Sequence, residues 1–195
     1  MELKRFLNIA ILSGAFVIGR ARAFNSTQIS AGAGMTMTSY SEGTGETQAS
    51  GSSSTIGLNV GYEYFPGTGY SFVVGGSIPI LGVSETSILM IGGAMNFYFM
   101  GLGTSGSFFG EDGAISFNPG MRLFAGPTIN VGYLVYQTET AKKSDVLFDV
   151  GAHAGVVYNL SQSYGVKAYA AFGRGVGVVT SSINMRFGAE GVYIF

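Results

Sequence analysis

The sequence predicts an all-β protein, an eight-stranded antiparallel transmembrane up-and-down β-barrel, and three observations carry that prediction. The 195-residue chain is 47% hydrophobic and only 11% charged, with 32 glycines, whereas soluble domains carry about 25% charged residues. Beyond residue 23, Gly, Ser and Thr interrupt every apolar run, so none reaches the ~20 residues of a membrane helix. Finally, apolar residues alternate with small or polar ones over eight successive segments, as in strands with one face to lipid and one to a lumen. In lipid only a closed barrel satisfies the backbones of strands.

The first element is a signal peptide over residues 1–23. Lys4 and Arg5 form its positive start, Leu7 to Gly19 its apolar core, and Ala21-Arg22-Ala23 the small-x-small cleavage pattern. Arg20 and Arg22 are unusual beside such a site, and an uncleaved anchor or a surface helix is the alternative. Cleavage after Ala23 leaves one domain, residues 24–195, of 172 residues. Six basic and ten acidic side chains remain, a net charge of −4, which argues against a nucleic-acid partner. With no cysteine there is neither a disulfide framework nor a thiolate metal site, and nothing calls for a cofactor.

The segments follow in order. From Thr27 to Tyr40, Ile29, Ala31, Ala33, Met35 and Met37 face out against Gln28, Ser30, Thr36 and Thr38. From Ser53 to Tyr64, Ile56, Leu58, Val60, Tyr62 and Tyr64 oppose Thr55, Asn59 and Glu63. Tyr70 to Val83 places Tyr70, Phe72, Val74, Ile78 and Ile80 outside, with Ser71 and Ser77 inside. Ser87 to Met100 places Leu89, Ile91, Met95, Phe97 and Phe99 outside, with Asn96 and Tyr98 inside. Met121 to Thr138 turns Arg122, Thr128, Asn130 and Tyr136 inward. Asp145 to Leu160 turns Asp145, Asp149, His153 and Asn159 inward. In Val166 to Thr180 an outer face of Val166, Ala168, Ala170 and Phe172 runs into Arg174. A charge at mid-bilayer costs about 2–4 kcal/mol, so a bulge at Gly173-Arg174-Gly175 or a place for Arg174 at the membrane rim is expected. The last strand sets Ile183, Met185, Phe187, Ala189, Gly191, Tyr193 and Phe195 on one face, with Asn184, Arg186, Gly188, Glu190 and Val192 on the other. Each segment should supply the ~9–11 residues of a tilted spanning strand, and lumen-facing glycines make room in a narrow tube.

Pro66–Gly69 and Ser161–Gly165 suit periplasmic turns, with tyrosines on either side as an interfacial girdle. Outer loops are expected at Ser41–Ser52, Ser84–Thr86 and Glu139–Ser144, with a tight link at Ser181-Ser182. The long Gly101–Gly120 connection breaks the pattern. It is a partial plug, a short hairpin, or a sign that the strand count fails there.

A leader, eight alternating strands and a final Tyr193-Ile194-Phe195 together resemble the small outer-membrane barrels of the OmpA/OmpX type, over essentially the whole mature chain. The terminal GAEGVYIF is the most specific element. The resemblance implies residence in the outer membrane of a Gram-negative bacterium, with Tyr193 and Phe195 as the signal read by the barrel-insertion machinery. It also implies contact with outer-membrane lipids and lipopolysaccharide, and a monomer. It does not fix an activity.

Inside the tube, Glu63, Asp149 and Glu190 balance Arg122, Lys167 and Arg186. Buried charges must pair, and eight strands leave little bore. The expectation is therefore a closed, salt-bridged lumen and a structural or interaction role without catalysis. A narrow channel or small-ligand carrier is the alternative. His153, the single histidine, shares a face with Asp149. It is either a lumen residue hydrogen-bonded to Asp149 or Tyr136, or part of a membrane enzyme. The His-x-Ser pair of lipid-deacylating barrels is absent, since His153-Ala154-Gly155 stands in its place. Lys142-Lys143 is either a solvated loop pair or a contact for lipopolysaccharide phosphates.

Overall fold

Alternation of the kind seen in the sequence forces one face of every strand to the same side of the sheet, and the sheet closes on itself. In the computed structural model, which describes residues 26–43, 49–66, 69–82, 86–100, 106–110, 113–117, 120–137, 142–161 and 163–195, eight strands form one closed antiparallel barrel. They are β1 (Ser26–Glu42), β2 (Ala49–Phe65), β3 (Tyr70–Gly82), β4 (Ser87–Met100), β7 (Met121–Gln137), β8 (Lys142–Asn159), β9 (Tyr164–Val176) and β10 (Thr180–Ile194). Each pairs with its neighbour in sequence around the ring, and β1 closes it by pairing with both β2 and β10. The predicted leader lies outside the described residues.

The parity read from the sequence holds on every barrel strand. Val60, Val74, Ile91, Val131 and Val150 are exposed outside, while Gln28, Glu63, Asn96, Arg122, Asp149 and Asn184 are buried inside. The strands run 13–18 residues, longer than a bilayer demands. The extra length comes from segments read as loops: β1 extends to Glu42, β2 begins at Ala49, and Lys142 and Lys143 open β8. Likewise, Ser181 and Ser182 are strand residues, and the last link is Gly177–Val179 instead.

Two open expectations are narrowed, the short hairpin being one of those for the long connection. The long connection contains a hairpin, β5 (Gly106–Gly110) with β6 (Gly113–Phe117), a separate two-stranded sheet, and the count of eight barrel strands survives it. No bulge forms at Arg174: it pairs with Val150 on one side and Ile183 on the other in unbroken register. The register shifts fall at Ile56/Gly57 and Tyr98/Met100.

The two barrel ends differ. At the near end, where Ser26 and Phe195 lie, Phe195 N donates to Thr27 O at 2.9 Å. Tyr193 sits between Tyr164 (5.1 Å between ring centroids) and Phe195 (4.8 Å). At the far end the β9–β10 hairpin is short. β8 pairs with β9 only from Phe148 onward, so residues 142–147 continue beyond it on β7 alone.

Candidate functional site in the barrel lumen

The lumen is layered along the barrel axis. Nearest the termini, Glu63 of β2 accepts hydrogen bonds from four neutral side chains. Asn96 Nδ2 and Tyr98 OH donate at 2.6 Å each, joined by Gln28 Nε2 and Ser71 Oγ. Gln28 also links this carboxylate to the deepest cation, because its Oε1 accepts from Arg122 Nη2 at 3.4 Å. Arg122 donates to Asn159 Oδ1 at 3.0 Å, and its guanidinium lies 5.8 Å from the ring centroids of both Phe65 and Tyr98. A fully buried arginine is thus held by amide oxygens and π-faces, contacts that suit the weakly hydrated guanidinium.

Above this layer Asn96 turns its Oδ1 to His153 Nε2. Because Asn96 Nδ2 is committed to the acceptor-only carboxylate of Glu63, the oxygen faces the imidazole and Nε2 carries the proton. The partner of His153 is therefore Asn96, not Asp149 or Tyr136. The imidazole stands edge-on to Phe124 at 5.4 Å.

Two ion pairs occupy mid-barrel. Lys167 Nζ lies 3.7 Å from Glu190 Oε2 and rests against the rings of Phe124 (5.5 Å) and Tyr169 (5.6 Å). Arg186 Nη2 lies 3.7 Å from Asp149 Oδ1, while Asn130 and Asn184 each donate to Asp149 at 2.8 Å. Arg186 and Glu190, four apart on one strand, each pair with another strand, as their shared face requires. Between these pairs and the glycines of β1–β4 is a cavity of ≈ 100 Å³, lined by His153, Lys167, Tyr169, Arg186 and Glu190 on one side and Gly34, Gly61, Gly75 and Gly92 on the other.

Toward the far end an apolar layer crosses the lumen among buried polar residues such as Thr38, Ser53 and Thr86. Tyr40, Ile88, Met90, Leu134, Tyr136 and Leu147 form one buried cluster, with Tyr40 and Tyr136 rings 4.9 Å apart. Only Tyr136 was recognisable as inward from polarity. Leu134 shares a parity with Asn130, Leu147 with Asp149, Ile88 and Met90 with Asn96, and Tyr40 with Thr38, and that parity is the signal the sequence offers. Asp145, just above, accepts from Val178 N, Val179 N, Thr180 N and Thr180 Oγ1 at 2.7–3.3 Å, clamping the β9–β10 turn. Lys143 Nζ reaches Glu42 Oε1 at 2.6 Å, joining β8 to β1 across the outer end of β9 and β10.

Solved structures share this architecture. Neisserial surface protein A (NspA) is similar with a TM-score of 0.58 at 11% identity, covering 86% of this chain and 95% of its own. The outer membrane protein OprG from Pseudomonas aeruginosa gives 0.56 at 9% identity, covering 89% and 97%. The shared fold is the eight-stranded closed antiparallel barrel. At such identities the likeness is one of fold alone. No protein-family model matches the sequence, and no curated protein matches it either. Among the described residues, no three His, Asp or Glu side chains gather as a metal site would need.

Proposed function

We propose that this protein is a monomeric outer-membrane barrel with a closed, salt-bridged lumen, serving a structural or interaction role in the envelope and performing no catalysis. In this reading a cleaved leader exports the chain. The near end faces the periplasm, and the outward aliphatic face meets lipid and lipopolysaccharide. Tyr193 and Phe195 present the last strand to the insertion machinery. The observation that carries the closed lumen is the succession of layers: Leu134, Tyr136 and Leu147, each 0% exposed, lie beyond the mid-barrel ion pairs, and Arg122, also 0% exposed, lies below them. A water-filled path would wet at least one of these. His153 is engaged with Asn96 and Phe124, a placement that suits a structural histidine. Planar-bilayer recording tests the reading. The expected result is no stable conductance step, and reproducible steps from the purified protein would overturn it.

A second reading, a narrow channel or small-ligand carrier, draws on the cavity beside Lys167 and Arg186. Liposome swelling with small solutes discriminates. Solute-dependent swelling altered by Arg186→Ala would favour it, and no swelling leaves the closed barrel.

A further inference from the structure

Among the described residues, Arg174 is the one charged group set into the apolar outer wall. Its side chain is exposed, and its surroundings on that face are Phe172 and Val176 along β9, Val150 on β8 and Ile183 on β10, each about half exposed. Among the described residues, no outward-facing position of β7–β10 or β1 holds a carboxylate. The lumen-lining cations meet acids or amides, whereas the outer-face neighbours of Arg174 are hydrocarbon.

Its height matters. Arg174 stands ten residues up β9 from Tyr164 of the near-end aromatic cluster. At a rise of about 3.3 Å per residue and a tilt of about 45° this is roughly 23 Å, close to the ~25 Å height of an outer-membrane apolar band. The guanidinium therefore lies where the far leaflet's headgroups begin. Apolar surface continues above it through Val176 and Val178, the latter 89% exposed, so the site is a cation framed by hydrocarbon rather than a wet rim.

Below Arg174 the wall is shallow. Ala170 pairs with Ala154, and Ala168 with Ala189. This descends to a groove of ≈ 440 Å³ lined by Val156, Tyr158, Val166, Ala168, Ala189 and Gly191. On β2 to β4 the outer wall instead carries the larger side chains of Leu58, Val60, Val74 and Ile91. Phe172 stands directly below Arg174 on β9, so an acyl chain from a phosphate at Arg174 passes beside that ring over Ala152 and Ala154 of β8, on the side away from Phe187 of β10, to reach Ala170 and Ala168.

We propose that Arg174 and the track below it form a seat for one lipid A molecule of the outer leaflet, with a lipid A phosphate on the guanidinium and an acyl chain along Ala170 and Ala168. Planar, bidentate recognition of phosphate is what arginine supplies and lysine supplies less well. The inference rests on the outer-membrane placement proposed above.

Native mass spectrometry of the full mature protein in micelles, titrated with bisphosphorylated lipid A, reads the seat directly. The expected result is one retained lipid A molecule, bound about tenfold or more weakly by Arg174→Gln and by wild type offered dephosphorylated lipid A. Ala170→Phe, which keeps the cation and fills the track, should also weaken retention. Heat-modifiable gel mobility verifies that each variant is folded. Equal retention by Arg174→Gln, or several equivalent lipids bound by wild type, would overturn the seat. Retention of phosphatidylglycerol as firmly as lipid A would overturn the assignment to lipid A. Flotation of the expressed protein with outer membranes is scored separately, so failure of the placement is distinguishable from failure of the seat.

Discussion

Asp149 on β8 and Arg186 on β10 meet at 3.7 Å although β9 runs between them. What lets the carboxylate lie across the intervening strand is Gly173, where an added Cβ would sit 2.6 Å from Asp149 Oδ2. A glycine on the lumen face of β9 thus decides whether a buried ion pair two strands apart can form. Gly173→Val should displace the carboxylate and destabilise the barrel by about 1–3 kcal/mol. Gly69→Ala, where nothing lies within 4 Å, should stay within about 0.5 kcal/mol of wild type. Urea unfolding from lipid vesicles, followed by gel mobility, measures both. Equal midpoints for the two variants would remove Gly173 from this role.

Glu63 gathers Gln28, Ser71, Asn96 and Tyr98, and Gln28 passes the interaction on to Arg122. Removing the carboxylate leaves four buried donors and a buried guanidinium with less to answer them. Glu63→Ala should therefore cost about 3–5 kcal/mol. Glu63→Gln should cost less, since its amide oxygen still accepts. Unfolding free energies of the two variants test the ordering, and a neutral Glu63→Ala would show that the layer does not act as a network.

Asp145 holds three consecutive backbone amides of the β9–β10 turn, Val178, Val179 and Thr180. Hydrogen bonds to a charged acceptor contribute about 1.5–3 kcal/mol. Asp145→Ala should then speed amide exchange at these residues by tenfold or more while leaving β7 amides protected. Hydrogen exchange in micelles resolves the two regions. Uniform acceleration along the barrel would mean that the clamp is not local.

The barrel itself was legible because a period of two is imposed by geometry: each inward or outward assignment of Glu63, Asp149, Arg186 or Phe172 follows from its neighbours. Partners were harder. Asn96 as the contact of His153, and Gln28 as the link between Glu63 and Arg122, depend on which strands meet and at what stagger, which parity does not contain. The apolar layer of Leu134 and Leu147 was hidden for another reason. An inward leucine carries the same chemistry as a lipid-facing one, so only its position in the alternation distinguishes it. The strand ends at Ser50 and Lys142 read as loops because polar residues at strand ends look alike in sequence whether paired or not. Arg174 was conspicuous in the sequence because it breaks the apolar pattern, and the unbroken register of β9 shows that the wall accommodates the charge without a bulge.

The far end offers a comparison of two interactions at similar height. Lys143–Glu42 is short at 2.6 Å, yet the lysine side chain is 44% exposed, so water and salt screen the pair. Leu147 is fully buried against the Tyr40–Tyr136 cluster, where loss of methyl groups leaves a cavity. Lys143→Ala should change stability by less than about 1 kcal/mol, with the effect shrinking at high salt. Leu147→Ala should cost about 2–5 kcal/mol at any ionic strength. Parallel urea titrations at low and high salt measure both. A larger and salt-sensitive loss from Lys143→Ala would instead make the strand-bridging ion pair, rather than the apolar layer beneath it, what holds β8 against β1 at the far end.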